Sequence, residues 1–199
     1  MRTLLTAFVL GLVLLFGSGG IGYAQDFQKG LDAFNKKDYA TALREWKPLA
    51  EQGHTMAQSN LGLMYDKGQG VTQDDKEAVK WYRLSAKQGI AEAQYNLGVL
   101  YYRGRGVLQD HKEAAKWWKL AAEQGYVDAQ YNLGLLYALG EGVPQDKVYA
   151  HMWWNIAAST GDDSAKKNKK IVEKEMTSSQ IEEAQRLARE CVKKNYKGC

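Results

Sequence analysis

The residues that come closest to a catalytic pattern are Ser164 and Lys167, which form a Ser-x-x-Lys motif. In serine β-lactamases this motif supplies a nucleophilic hydroxyl group and a lysine amine, and it works together with Ser-Asp-Asn and Lys-Thr-Gly elements on a mixed α/β fold. Neither of those elements occurs in this sequence, and Lys166, Lys169 and Lys170 surround Lys167. We therefore interpret the motif as a chance match within a lysine-rich helix.

The sequence gives no metal-binding or phosphate-binding pattern. His54, His111 and His151 are separated by 57 and 40 residues and have no second ligand at the i+4 spacing of a helix-borne metal site. Three Gly-x-Gly elements, such as residues 104–106, lack the third glycine and the strand-to-helix context of a phosphate-binding loop. We interpret these elements as turns and predict no catalytic residue, no metal site and no cofactor.

The composition predicts a folded domain that is held together by packing. Of 199 residues, 45% are hydrophobic and 11% aromatic, and two cysteines are too few for a scaffold built on disulfides. The net charge of +4 arises mainly at the C-terminus, where residues 162–199 carry ten basic and seven acidic side chains. The lysines between Lys166 and Lys174 are interpreted as a solvated face, with an anionic lipid or cell-wall polymer as the alternative ligand. We do not expect nucleic acid as a partner.

The first 24 residues are typical of a signal peptide. Arg2 precedes an uncharged run of 13 residues, 4–16, which as a helix would span roughly 20 Å, less than the roughly 30 Å of a bilayer core. The glycine-rich segment that follows is expected to be poor in helix and ends in Gly22 and Ala24, small residues suited to signal peptidase. We predict cleavage after Ala24 and a periplasmic or secreted protein. The alternative is an uncleaved anchor, which would bring the chain to a membrane.

A period of 36 residues organises the rest of the chain. Residues 54–89 share 20 of 36 positions with residues 90–125, which share 19 of 36 with residues 126–161. Residues 25–53 form a shorter, degenerate copy, and residues 162–199 follow as a basic C-terminal segment. Such self-similarity is the signature of a repeat architecture.

Each repeat is predicted to be a pair of helices. In the first helix, Ala93, Leu97 and Tyr101 form one apolar stripe, Gly98 beside it lets the partner helix approach, and the helix ends at Gly104. In the second helix, Asp110 and Glu113 suggest a capping box, and Trp117 and Trp118 mark the apolar face. We expect the tryptophans at positions 81, 117 and 153 to lie in the core. A single hairpin cannot bury this aromatic face, so the repeats must stack.

The C-terminal segment is predicted to end in a capping helix. This helix begins near Thr177 or Ser179, with Gln180 or Glu182 three positions later, and it is expected to seal the open face of the last repeat. Cys191 lies on its apolar stripe. A disulfide between Cys191 and Cys199 is predicted for an oxidising compartment, and the alternative is two free thiols.

The repeats resemble a known family, the Sel-one-like repeat, a relative of the tetratricopeptide repeat. Three full copies cover residues 54–161. The signature in the second copy comprises Ala93-Gln94-Tyr95-Asn96-Leu97-Gly98, Tyr101, Gly104, Gly106-Val107, Gln109-Asp110, Ala114, Trp117, Ala121-Ala122 and Gly125. The last copy departs from it, because Val148 and Tyr149 replace the usual charged start of the second helix.

This resemblance implies an all-α fold, a right-handed superhelix of αα-hairpins, with a concave groove that grips a segment of another protein. By position, the groove-lining residues are Asn60, Leu63, Tyr95, Asn96, Val99, Tyr102, Arg103, Tyr131, Asn132, Leu135 and Ala138. The asparagine in every repeat could instead tie neighbouring hairpins together. We expect Tyr102 and Arg103 to be exposed contact residues.

The resemblance implies binding and no reaction. We therefore predict a non-catalytic adaptor of the cell envelope that binds a protein or peptide segment. The alternative is an envelope hydrolase acting on β-lactams or cell-wall peptides, for which Ser164 would be the nucleophile. A further alternative is weak self-association, in which Trp46 and the short first repeat expose an edge to another copy.

Overall fold

The computed structural model describes the backbone of residues 17–199 and the side chains of residues 26–199. The uncharged run of the predicted signal peptide, residues 4–16, lies outside this part. The helices of the described part are α1 (Gly17–Asn35), α2 (Tyr39–Glu51), α3 (Thr55–Lys67), α4 (Asp75–Lys87), α5 (Ala91–Arg103), α6 (His111–Ala122), α7 (Val127–Leu139), α8 (Lys147–Ser159), α9 (Asp163–Glu173) and α10 (Ser178–Lys193). No helix among residues 17–199 is long and apolar enough to span a membrane.

The first eight helices form four consecutive hairpins. α1 packs on α2, α3 on α4, α5 on α6 and α7 on α8, and each second helix also packs on the first helix of the next hairpin. α3 also contacts α5, and α7 contacts α9, so first helices lie beside one another along the array. The prediction of an all-α solenoid of αα-hairpins is therefore confirmed.

Helix α1 corrects one expectation about the N-terminus. It begins at Gly17, so the glycine-rich segment that was expected to be poor in helix is helical, and the predicted cleavage position after Ala24 lies within α1. Extending an existing helix costs much less free energy than starting a new one. A helix that is held in place by packing can therefore extend into a glycine-rich segment, although glycine has a low helix propensity. Phe27, Leu31 and Phe34 provide that packing against α2 and α3.

The starts of the second helices confirm half of the predicted capping box. The Asp110 carboxylate accepts hydrogen bonds from the backbone N–H groups of Lys112 and Glu113. The Glu113 side chain does not return to the cap. Its Oε2 instead accepts a hydrogen bond of 3.1 Å from the indole N–H of Trp117, because a buried indole needs a hydrogen-bond partner.

The Gly-x-Gly elements are turns, as predicted, and the two glycines serve different purposes. Gly104 ends α5 at a φ of 66°, the left-handed conformation that glycine adopts without strain. A Cβ atom on Gly106 would overlap with the carbonyl oxygen of Asp75. The second glycine therefore allows the loop to touch the backbone of the preceding repeat.

The aromatic stripe of the second helices lies in the core, as predicted. Trp81, Trp117 and Trp153 are all buried. Trp46 is buried as well, which contradicts the expected exposed edge of the first repeat. It packs against the rings of Phe27 and Phe34, and its indole N–H donates to the backbone carbonyl of Phe27.

Helix α10 packs on the last full repeat, as expected of a capping helix, and it does so through α8. Its buried residues Ala184, Ala188 and Cys191 lie on the side that packs against α8, not over α9. Helix α9 is not the hairpin partner of α10. Lys170 stands 36 residues after Gly134, the glycine of α7 against which Trp154 packs, so α9 lacks the small residue that admits a second helix.

Candidate protein-interaction surface

Two rows of side chains run across the first helices at intervals of 36 residues. An asparagine and an aliphatic residue three positions later recur in α3, α5, α7 and α9, and i and i+3 positions share a helix face. We call this surface the first-helix face. Its amide row is Asn60, Asn96, Asn132 and Asn168, and its aliphatic row is Leu63, Val99, Leu135 and Ile171.

The predicted groove residues are partly accessible. Arg103 is exposed, and the other ten are half-buried: Asn60, Leu63, Tyr95, Asn96, Val99, Tyr102, Tyr131, Asn132, Leu135 and Ala138. The prediction missed Asn168 and Ile171 in α9, although the repeat period points to both. Ile171 is 49% exposed, so the aliphatic row is most accessible at its C-terminal end.

The asparagines have two environments. Asn168 donates a hydrogen bond of 3.2 Å to the Tyr131 hydroxyl group, and the Asn132 side chain lies near the Tyr95 hydroxyl group in the equivalent position. Burial raises the pKa of Tyr95, and the nearby polar side chain of Asn132 partly opposes this rise. Ser59 stands 36 residues before Tyr95, in the position from which a tyrosine could contact Asn96. Asn96 therefore has no equivalent tyrosine partner, whereas Asn168 ties neighbouring repeats through a hydrogen bond.

Tyr102 differs from its expected role as an exposed contact residue. Its ring stacks on His111 at a centroid distance of 4.8 Å and lies 5.4 Å from the ring of Trp118. Its hydroxyl group donates a hydrogen bond of 2.9 Å to Oε2 of Glu141 in the next repeat. Tyr102 thus fills space between hairpins, and only its neighbour Arg103 is freely accessible.

The middle residue of each Gly-x-Gly turn reaches back to the preceding repeat. Gln69 donates to the Tyr39 hydroxyl group, and Glu141 accepts from Tyr102. Arg105 forms ion pairs with Asp75 and, at 2.8 Å, with Asp66, and these carboxylates raise the pKa of its guanidinium group. These turns therefore join repeats.

The contacts of Ser164 and Lys167 do not support a nucleophilic serine activated by a lysine, the chemistry of the hydrolase alternative. Both side chains are exposed on α9, and neither makes a side-chain hydrogen bond with any described residue. Among residues 17–199, no group of three or more histidine, cysteine, aspartate or glutamate side chains could hold a metal ion.

The sulfur atoms of Cys191 and Cys199 lie within bonding distance. Their Cα atoms are 5.7 Å apart, which is a normal separation for a disulfide. Cys191 is buried in the core cluster that includes Met152 and Trp153 of α8. The pair lies at the end of α10, away from the first-helix face.

Solved structures share this architecture. The chain is similar to a Sel1 repeat protein from Oxalobacter formigenes, with 34% identity, a TM-score of 0.68, and coverage of 72% of this chain and 57% of that one. It is also similar to c5321, a protective antigen of uropathogenic Escherichia coli strains displaying an SLR fold, with 29% identity, a TM-score of 0.62, and coverage of 87% and 46%. Cysteine rich protein B of Helicobacter pylori, at 19% identity and a TM-score of 0.52, covers 65% of this chain and 93% of its own and shares the fold.

A curated relative matches over a shorter stretch. The exopolysaccharide production negative regulator of Rhizobium leguminosarum bv. viciae is 41% identical over 56 residues, which are 28% of this chain and 21% of the regulator. The chain thus spans about a fifth of that relative. The family model for the Sel1 repeat matches residues 55–90, 91–126 and 127–162, which together make up more than half of the chain. The chain belongs to the Sel1 repeat family.

Proposed function

We propose that this protein is a non-catalytic interaction module that binds an extended segment of a partner protein along the first-helix face. The observation that carries the proposal is the pair of parallel rows, one of amides and one of aliphatic side chains, on four successive first helices. An amide can donate to a peptide carbonyl and accept from a peptide N–H at the same time. The aliphatic row offers contact area to the side chains of the same segment.

The family supports an interaction role, because Sel1 repeat proteins generally mediate protein–protein interactions. Relatives in this fold are typically non-catalytic. No observation favours the hydrolase alternative, and we do not propose it. The interaction energy would come from removing the aliphatic row from water and from amides that have no hydrogen-bond partner among the described side chains, such as Asn96.

We further propose that the protein works in the cell envelope after export. The N-terminal signal-peptide pattern supports this location, and so does the pairing geometry of Cys191 and Cys199, because disulfides persist mainly in oxidising compartments. Cell fractionation of the tagged protein tests the location, and N-terminal sequencing of the mature form tests cleavage after Ala24. A cytosolic protein that retains Met1 would contradict the proposal.

Quantitative capture of partners from the envelope fraction tests the interaction surface. Asn96→Arg places a large cation in the amide row, and Leu108→Arg places the same side chain on a loop where Leu108 is 91% exposed. Partner recovery should fall at least tenfold for Asn96→Arg and stay within twofold for Leu108→Arg. Equal recovery by both variants, with matching melting curves, would show that the first-helix face does not bind the partner.

A further inference from the structure

The third repeat lacks an aromatic ring that the second repeat contains. Tyr102 of α5 lies between His111 and Trp118, with ring centroids 4.8 Å and 5.4 Å away. The residue 36 positions later is Ala138 of α7, a side chain that is too small to fill this space. The residues that correspond to His111 and Trp118 are Lys147 and Trp154.

A cleft of about 240 Å³ occupies this place, between α7, α8 and α9. Its lining residues are Leu135, Ala138, Leu139, Gln145, Lys147, Trp154, Asn168, Ile171, Val172 and Glu175. An apolar cavity of about 150 Å³ in an engineered protein holds a benzene molecule, so this cleft has room for an aromatic side chain. Leu139 and Ile171 at the cleft are 54% and 49% exposed, so a guest could enter from solvent.

The polar groups of the cleft also suit an aromatic guest. Lys147 forms an ion pair of 2.9 Å with Glu175, which keeps the ammonium group at the side of the cleft. A ring in the position that corresponds to Tyr102 would lie between this ammonium group and Trp154. It would then gain a cation–π contact and an aromatic contact.

The positive charge around the cleft favours a partner segment with acidic residues beside the aromatic residue. Lys167 and Lys174 lie one helical turn either side of Ile171, and Lys170 lies next to it. All three lysines are exposed, and none of them forms an ion pair with a residue in the described part of the chain. Acidic residues beside the guest ring would therefore meet a surface of complementary charge.

We propose that this cleft binds the aromatic side chain of a partner segment whose flanking residues are acidic. This inference rests on the proposed function and adds the identity of the anchor. The occupant is a protein segment, and the chain already shows in its second repeat, at Tyr102, what kind of side chain fills the corresponding space.

Peptide binding tests the proposal without knowledge of the natural partner. The probe is a labelled peptide with one phenylalanine between two aspartates on each side. Its binding is measured by fluorescence anisotropy, and the Trp154 indole resonance is followed by NMR. We expect saturable binding below about 1 mM, a shift of the Trp154 resonance, and at least tenfold weaker binding when leucine replaces phenylalanine or lysines replace the aspartates.

A variant that fills the cleft supplies the second measurement. Ala138→Tyr restores the ring that the second repeat carries and should weaken binding of the phenylalanine peptide at least tenfold. Leu108→Tyr places the same side chain on a loop outside the cleft, where Leu108 is 91% exposed, and should bind the peptide within twofold of the unchanged protein. Absence of saturable binding, or equal binding of the phenylalanine and leucine peptides, would overturn the proposal, as would unchanged binding by a folded Ala138→Tyr variant. Equal binding of the peptide in which lysines replace the aspartates would overturn the proposed preference for acidic flanking residues.

These results do not depend on partner capture with the Asn96→Arg variant. Failure of the cleft proposal and failure of the first-helix face as a binding surface therefore remain distinguishable.

Discussion

The indole ring of Trp118 occupies the space that the absent side chain of Gly98 leaves open. A Cβ atom on Gly98 would lie 2.5 Å from Cδ1 and Nε1 of this ring, and Nε1 donates a hydrogen bond of 3.1 Å to the carbonyl oxygen of Tyr95. The same relationship joins Gly134 to Trp154. Each of these hairpins is therefore closed by a glycine on the first helix and an aromatic residue 20 positions later.

The glycine contact predicts that Gly98→Ala destabilises the protein, although alanine is the better helix former. The added methyl group must displace a buried indole, and overpacking of this kind typically costs about 1 to 3 kcal/mol. Urea denaturation should show the loss in the free energy of unfolding. Glu92→Ala, an exposed substitution in the same helix, is the control and should change stability by less than about 0.5 kcal/mol. An unchanged midpoint for Gly98→Ala would show that the hairpin can open to accept the methyl group.

Trp117→Ala should unfold the array cooperatively. The Trp117 side chain is buried, and its indole N–H is hydrogen-bonded to Glu113. Truncation of a buried tryptophan costs about 3 to 5 kcal/mol, and each repeat depends on its neighbours for stability. The melting temperature measured by circular dichroism should fall markedly. Trp117→Phe retains much of the packing and should lose less, and a melting curve for Trp117→Ala that matches the unchanged protein would contradict the core assignment.

The hairpins could be predicted from the sequence because helix geometry and glycine chemistry act locally. The stripe through Ala93 and Leu97 and the end at Gly104 follow from 3.6-residue periodicity and from the free φ of glycine. The repeat period also carries the amide row into α9, although Asn168 was missed.

Other features depend on contacts between distant residues. Tyr102 was expected to be exposed, but it is half-buried, and its hydroxyl group donates a hydrogen bond to Glu141, which lies 39 residues later in the next repeat. The packing of α10 on α8 joins helices that are separated by the whole of α9, and in α9 Lys170 stands where the preceding first helix has Gly134. Such outcomes follow from three-dimensional neighbours and not from local patterns.

Asn96 and Asn168 should respond differently to alanine. Asn96→Ala removes an amide without a tyrosine partner, so partner binding should weaken while stability is preserved. Asn168→Ala also removes the hydrogen bond with the Tyr131 hydroxyl group, so it should lower the free energy of unfolding by about 0.5 to 1.5 kcal/mol. Chemical denaturation combined with partner capture checks both effects. Lost stability with intact binding for Asn96→Ala would assign that residue to the support of the array.

Cys191 and Cys199 should be bonded in the mature protein. The sequence separation of 8 residues closes a short loop, for which chain entropy gives a stabilisation of about 2 to 3 kcal/mol. Intact-mass measurement after alkylation under denaturing, non-reducing conditions should show no alkylated cysteine. Prior reduction is the control and should yield two alkylated cysteines. Alkylation of both without reduction would show that the thiols are free.

The stability of the contact between α8 and α9 should depend on pH through His151. This side chain is fully buried, and its Nε2 atom lies 2.8 Å from Oε1 of Glu173. Burial lowers the pKa of His151, with Lys169 acting in the same direction, and the hydrogen bond to Glu173 opposes the shift only in part. The unfolded chain, with an ordinary histidine pKa of about 6.5, therefore takes up a proton at a higher pH than the folded protein does.

Because the unfolded state binds the proton first, acidification favours unfolding. The free energy of unfolding should be highest above about pH 7 and should fall as the pH is lowered through about 6.5 towards the depressed pKa of the folded state. His151→Gln keeps a hydrogen-bond donor for Glu173 but cannot titrate. Urea midpoints at pH 7.5 and pH 5.5 should therefore differ less for His151→Gln than for the unchanged protein. Equal differences in the two proteins would show that protonation of His151 does not control the stability of this contact.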